Sequence, residues 1–541
     1  MATSISPGTF LERPEVAKWL IAIAVMASAM MELVDTAAVN VSLPYIAGNL
    51  SATTAEATWV LTSYLVSNAI VLPLSGWLAN YFGRKRLLIM AVTGFTGASV
   101  LCGLAPTLPL LICFRVLQGV SGGSLQPTTR AIMLETFPRE QRGHAMAFFG
   151  VGIVVAPILA PMLGGWLTTD YSWRWIFFIN VPVCAVGLIM LQLFVHDPPY
   201  IRRGTLRMDY WGLGMLVTGI AALQVMLDKG QEDDWFSSHF IVTLSVTAVV
   251  CLTAFVIWEL RSAEPLVHFR LLKLRTFAAG TSLSAILGFV LFGSVVLIPL
   301  FMQELLGFPA ITAGFWNAPR GIATMLLMPV AGILIERRWD MRGMIFSGLL
   351  SAALGVFLFS FLDSSAGPMN FVWPQIVMGA GLAFTFVPLA TISVDPIPSE
   401  EMGYATGIIA LMRNLGGSIG ISVVATVLAR GRQARQTRLA AHVTPFAVSV
   451  RSMIAAMGAY FSRHGAGPAE AGRDALALIY RLTLQQVATL SYMDAFRLLG
   501  ILFFVVSPIP WVMRRHRVVS EPSPSSAAHQ DSHAARASQS S

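Results

Sequence analysis

Charged side chains are scarce: Asp, Glu, Lys and Arg make up 12% of the 541 residues, about half the roughly 25% usual in soluble domains. That shortage excludes a string of ordinary soluble domains. Cysteine is scarcer still, and the four present, Cys102, Cys113, Cys184 and Cys251, all fall inside apolar runs. Neither a disulfide framework nor a spaced thiolate metal site is expected. The sequence contains no G-x-x-x-x-G-K-[ST] loop, which argues against an ATP-driven machine. The nine histidines supply no intramembrane pair and no Ser-His-Asp set; His144, His196, His239 and His268 lie at run ends or between runs. No metal, cofactor or catalytic residue is expected.

What the chain has instead is apolar length, with 55% of its residues hydrophobic. A hydrocarbon core about 30 Å thick takes about 20 helical residues per crossing. Runs suited to this cover 21–43, 58–79, 87–104, 108–132, 143–167 and 175–195, then 209–227 and 240–260, then 277–300, 312–335, 344–362, 371–393, 404–428 and 495–512. The order is six, two, six. The expectation is an all-α polytopic membrane protein with 14 transmembrane helices: a six-helix bundle over 19–195, two linker helices within 196–276 and a second bundle over 277–513. A tail at 1–18 precedes them and a disordered tail at 514–541 follows.

The net charge of +8 resides in alternate short loops, with Arg84, Lys85 and Arg86; Arg130, Arg139 and Arg142; Arg202, Arg203 and Arg207; Arg261, Arg270, Lys273 and Arg275; and Arg337, Arg338 and Arg342. The intervening short loops hold Arg174 and Lys229. By the positive-inside rule both termini are cytoplasmic, and nucleic acid is not needed to explain the basic residues. One connection, 429–493, is long and falls outside. Its apolar spacing at 450–460 and 475–490 suits a small amphipathic cap or a docking surface.

Ionisable groups inside a spanning helix are costly, so each proposes a pathway, a relay or a fixed pair. Glu32 and Asp35 share a face of the first helix, with Asn40 further along, and Arg115 shares one with Gln118 on the fourth. At about 1.5 Å per residue, Asp35 and Arg115 lie at similar depth, roughly 10 to 12 Å from the outer helix ends. A carboxylate pulled one way by burial and the other by a guanidinium can exchange a proton; a permanent ion pair is the alternative. Asn317 and Arg320 on the tenth helix and Arg413 on the thirteenth are the second-half counterparts, as cavity lining or interhelical hydrogen bonding. Trp59, Tyr64, Phe315, Trp316, Phe384 and Phe386 are aromatic candidates for an apolar cavity.

Small residues recur every fourth position on the fifth helix at Gly152, Ala156, Ala160 and Gly164, interrupted by Pro157 and Pro161. Such a row permits close backbone approach, either as static packing or as a rocking surface. A glycine-to-basic turn repeats at the second-to-third connection of both blocks: Gly76, Asn80, Gly83, Arg84 and Lys85, then Gly332, Glu336 and Arg337. Repeated halves with a cavity between them suit alternating access; the basic residues also fix topology.

These motifs resemble the major facilitator superfamily, and within it the fourteen-helix drug:proton antiporter family of EmrB-like exporters. Asp35, Val39, Asn40, Leu43 and Pro44 resemble its acidic first-helix motif, with Ala37 where Thr is usual. Arg115, Gln118 and Gly119 resemble its proton-translocation motif. Pro157, Pro161, Gly164, Gly165 and Trp166 resemble its antiporter motif, with Ala156 and Ala160 replacing glycines. The turn departs from the pattern at Asn80, where Asp is frequent, whereas Glu336 and Arg337 keep a charge pair. Gly403, Gly407, Arg413, Asn414, Gly416 and Gly420 are similar to the thirteenth helix of the family.

The resemblance implies proton-coupled export of hydrophobic or amphipathic compounds from the inner membrane. It also implies an EmrA-like periplasmic adaptor and a TolC-like outer-membrane channel where the cell has two membranes. Export of one endogenous metabolite or siderophore is the nearer alternative; a membrane-embedded transferase is the alternative of another class.

Overall fold

The computed structural model describes residues 14–197, 208–262, 264–363, 366–442, 448–464 and 467–514. The basic residues Arg202, Arg203 and Arg207, and the terminal segments 1–13 and 515–541, lie outside the described residues. Among those described, all regular structure is helical. Lipid cannot hydrogen-bond a backbone, so a spanning segment must satisfy its own N–H and C=O groups. Among the described residues, fourteen helical stretches are long and apolar enough to cross a membrane.

The first half comprises α1 (Pro14–Asn49), α2 (Trp59–Phe82), α3 (Arg84–Leu104), α4 (Leu108–Gly122), α5 (Leu125–Thr136), α6 (Arg142–Asp170) and α7 (Asn180–Phe194). α4 and α5 form one span, broken where a Cβ on Gly123 would meet the Asn68 carbonyl at 2.6 Å. Backbones touch there. The span ending in α7 is interrupted at Ile179, because Pro182 has no N–H to return to the preceding turn. Next come α8 (Tyr210–Lys229) and α9 (His239–Arg261), followed by α10 (Arg275–Glu304), α11 (Ala310–Glu336), α12 (Met341–Phe359) and α13 (Val372–Ile392). α14 (Met402–His442), α15 (Val448–Arg463) and α16 (Pro468–Val506) complete the chain.

Within the first half α1 packs on α6 and α7, and α2 and α3 pack on α4; within the second, α10 packs on α14, and α13 on α11 and α12. The halves meet along α2 with α14 and α6 with α11. α8 packs against α9, α2 and α14.

The stretch 429–493, expected as a loop with a cap, is mostly a continuation of spans. α14 runs on to His442 and α16 starts at Pro468, with α15 between them. At 41 and 39 residues, these helices are about 60 Å long, about twice the hydrocarbon core. Hydropathy marks where a helix leaves lipid and is silent on whether it stops. Ala, Arg and Gln beyond Leu428 favour continuation. Tyr492 donates to Glu304 at 2.8 Å and Arg432 donates to both, while Arg435 pairs with Asp494, fastening α14 and α16 to the end of α10.

Candidate functional site: a buried carboxylate–guanidinium pair beside an inter-half cavity

Asp35 lies on the buried face of α1 and Arg115 on that of α4, 1% and 0% exposed. Arg115 Nη1 donates to Asp35 Oδ2 at 2.6 Å and to Gln118 Oε1 at 2.7 Å, and its Nε donates to the Val60 carbonyl at 3.2 Å. Gln118 Nε2 donates to Asp35 Oδ1 at 3.1 Å. A further donor comes from α7: Asn180 Nδ2 reaches Asp35 Oδ1 at 2.7 Å and Ser99 Oγ at 2.8 Å. Ser99 in turn donates to the Phe177 carbonyl at 2.9 Å. Removing one partner of such a buried pair costs about 3–5 kcal/mol, because the other charge is left alone.

Glu32, one turn from Asp35, meets a different set. Its Oε1 accepts from Asn68 Nδ2 at 2.8 Å and Tyr64 Oη at 3.4 Å, both on α2, and the carboxylate also meets the Gln126 side chain. Arg115 also places its guanidinium carbon 4.3 Å from the centre of the Tyr64 ring. Tyr64 therefore touches both ionisable groups.

A cavity of about 110 Å³ opens between the halves. Leu33, Leu72 and Ile153 line it from one side, and Leu287, Phe292, Met328 and Phe386 from the other. Its polar wall is Asn68, Gln126, Thr324, Arg413 and Asn414, with Arg413 Nη2 donating to Gln126 Oε1 at 2.9 Å. Of the six candidate aromatics, Phe386 lines this cavity; Tyr64 belongs to the buried site and Phe315 is exposed. Arg320 donates to Ser294 at 3.2 Å, behind Thr324 on the same helix. Asn317 is half-buried, its Oδ1 without a partner, and Asn40 is exposed; neither is in the cavity wall.

The repeated turn sits where the halves close. A Cβ on Gly76 would meet the Tyr404 backbone nitrogen at 2.5 Å, and one on Gly332 would lie 3.1 Å from the Gly143 carbonyl. Asn80 stands beside Tyr404, and Gly83 turns the chain at φ 88°. Arg84 pairs with Glu135 and donates to the Ser399 carbonyl across the seam at 3.3 Å. Lys85 donates through its backbone to Asp197 and through Nζ to the Gln192 carbonyl, both at 2.7 Å. Glu336 faces His144 at 3.7 Å rather than Arg337, which is exposed. Arg130 donates to the Ala390 carbonyl at 2.9 Å. Toward the other end α6 and α11 present Met162 and Phe315 outward, 69% and 71% exposed, and a Cβ on Gly165 or Gly314 meets nothing within 4 Å.

The row of small residues on α6 packs within its own half. Gly152 abuts Met26 and Gly164 abuts Ala38 of α1, with Ala156 and Ala160 buried. A repeat of four selects one helical face, and that face is covered by α1. The inter-half contact lies on another face, where Gly143, Gly150 and Ile158 meet Gly332, Met328 and Gly321. Pro157 is exposed, and Pro161 lies within α6 with its side chain outside the description.

Asn180, Asn68 and Gln126 were not singled out in the sequence. Each is a lone amide in an apolar run, the same kind of signal that marks Asp35.

The comparisons decide the family. The family model of the Major Facilitator Superfamily matches residues 25–421. The chain belongs to the Major Facilitator Superfamily. The superfamily fold recurs in the proton:xylose symporter XylE, with a TM-score of 0.58 at 14% identity over 92% of this chain and 96% of that one. The human organic anion transporter MFSD10 gives 0.56 at 13% identity over 90% and 99%. Among sequence relatives, the fatty acid resistance protein FarB of Neisseria gonorrhoeae is 37% identical over 90% of this chain and 94% of its own. The multidrug export protein EmrB of Escherichia coli K12 is 36% identical over 80% and 85%.

Proposed function

We propose that this chain is a proton-coupled exporter of hydrophobic or amphipathic toxic compounds, working by alternating access across the inner membrane with both termini cytoplasmic. The Asp35–Arg115 pair carries the reading: it is a dry, hydrogen-bonded carboxylate on a helix whose next turn back, at Glu32, contacts the wall of the cavity between the halves. Asp35 takes and releases the coupling proton, and Arg115, with Gln118, holds the carboxylate between transfers. Cargo occupies the cavity, with Arg413 in its wall. The halves 19–195 and 277–513 rock about it, with Gly76 and Gly332 at the closing end. No covalent step is required of the cargo.

The driving force is adequate. One charge crossing 100 mV is worth about 2.3 kcal/mol, and each pH unit adds about 1.4 kcal/mol. An EmrA-like periplasmic adaptor and a TolC-like outer channel fit the extension formed by α14, α15 and α16, where Met453, Tyr460, Leu476 and Tyr480 are exposed. A second reading, export of amphiphilic acids, draws on the name of the FarB relative and on Arg413, a positive group in an otherwise apolar wall.

Proteoliposomes test the main reading. An imposed proton gradient drives uptake of a hydrophobic dye into inverted vesicles, the dye is recovered unaltered, and Asp35→Asn abolishes the dependence on the gradient. Gradient-driven transport that persists with Asp35→Asn overturns the role of Asp35; recovery of an altered dye overturns the transporter reading.

A further inference from the structure

Among the described residues, every hydrogen-bond donor on the Asp35 carboxylate belongs to the first half: Arg115 and Gln118 on α4 and Asn180 on α7. Rocking, however, is a movement of one half against the other. A proton arriving at Asp35 must be felt at the seam, and the described contacts supply a route through α2.

α2 reads the pair directly. Its Val60 carbonyl accepts from Arg115 Nε at 3.2 Å, and the Tyr64 ring lies under the guanidinium at 4.3 Å. A cation over an aromatic face is held by the ring quadrupole, more strongly where both are dry, and Tyr64 is 2% exposed. One side chain further out, the Tyr64 hydroxyl and the Asn68 amide hold Glu32. Toward its other end the same helix touches the second half: a Cβ on Gly407 of α14 would meet the Leu72 carbonyl at 2.9 Å, and Gly76 lies against Gly403 and Tyr404. Val60, Tyr64 and Leu72 lie on one uninterrupted stretch of α2 ahead of Pro73, so a tilt set at Val60 and Tyr64 reaches the Leu72–Gly407 contact.

We propose that Tyr64 is the positioning residue that couples the Asp35–Arg115 site to the second half. Its ring carries the Arg115 guanidinium and its hydroxyl the Glu32 carboxylate, and α2 passes their displacement to α14. The inference rests on the reading of Asp35 as the proton site. When Asp35 gains a proton, Arg115 loses its counter-charge; the Tyr64 ring and the Val60 carbonyl follow the guanidinium, and the Tyr64 hydroxyl on Glu32 fixes the ring so that the displacement passes into α2. The titratable and charged groups facing this set are Asp35 and Glu32 from α1, Cys102 from α3, Arg115 from α4, Cys184 from α7 and Arg413 from α14.

The experiment separates protonation from movement in the full chain. Spin labels at Met162→Cys and Phe315→Cys, in a background with Cys113→Ala and Cys251→Ala, report the distance between the halves by pulsed EPR. The infrared carboxyl band lost in Asp35→Asn reports the proton, and both are read across a wide pH range. In the parent protein the distance follows the band. Tyr64→Phe keeps the ring and the packing, and Glu32→Gln keeps the shape at the other end of the link. In both, the band titrates as before while the pH-driven change in population falls at least about threefold, the scale set by one lost hydrogen bond. Distances that track the band in Tyr64→Phe and Glu32→Gln as in the parent overturn the assignment of Tyr64. A parent protein whose distance ignores pH, or whose band is unchanged by Asp35→Asn, overturns the proton reading itself.

Discussion

Lys229 Nζ donates to Thr58 Oγ1 at 2.7 Å, fastening α8, a helix of neither bundle, to the first half. Thr62 donates to the adjacent Asp228. On the other side, Gln224 Nε2 donates to Ser418 at 2.7 Å, and Trp235, just beyond α8, donates to Thr426 at 3.1 Å. Near Leu72 and Gly407, α2 and α14 touch backbone to backbone. About ten residues further along, roughly 15 Å, α8 stands between them and bonds to both.

Such a strut holds the halves apart at that end. With each hydrogen bond worth about 1 kcal/mol, combining Gln224→Leu and Lys229→Met shifts the population about tenfold or more toward closure there. The Met162–Phe315 label distance shortens. An unchanged distance removes the strut from the mechanism.

Gly76→Val acts at the opposite end. The added Cβ has Tyr404 N at 2.5 Å and Gly403 C at 2.8 Å, and backbone atoms cannot turn aside as a side chain can. The seam opens, and a thiol reagent reaches Ala79→Cys, buried in the parent, at least about tenfold faster, as loss of about 1.4 kcal/mol from the closed state requires.

Arg115→Met leaves the Asp35 carboxylate buried without its counter-charge and lowers stability by about 3–5 kcal/mol. The double variant with Asp35→Leu recovers much of that loss, because the charge that needed compensation is gone. Thermal unfolding in detergent measures both; a double variant no more stable than Arg115→Met contradicts the account.

Outside the spans, His268 stacks on Tyr404 with ring centres 3.9 Å apart and faces Glu401 at 3.9 Å. Burial pushes its imidazole below the usual 6.5, Glu401 opposing and Arg270 reinforcing that shift. The native state thus holds the neutral ring, whereas the unfolded chain binds a proton below about 6.5. This contribution to stability is complete above 6.5 and is lost as pH falls through the folded value. His268→Gln flattens the dependence of the unfolding temperature on pH between about 5 and 7; an unaltered slope rejects it.

The spans were legible in the sequence because lipid imposes one rule on all of them, and Asp35 and Arg115 because charge in an apolar run has no cheap explanation. Their matching depth followed from the helical rise. Asn180 was harder to read: its Asp35 contact depends on how α7 enters after the break at Ile179, which periodicity does not carry. The row from Gly152 to Gly164 told which face of α6 is tight and not whether α1 or α11 covers it. The pairing of Glu336 with His144 crosses the halves, and no local spacing encodes such a contact.

The length of α14 and α16 has a practical corollary. Two bundles of like outline are hard to tell apart in projection when a detergent belt hides their helices. A stiff tower rising from one bundle breaks that likeness and gives each particle image a compass point, without an added antibody fragment.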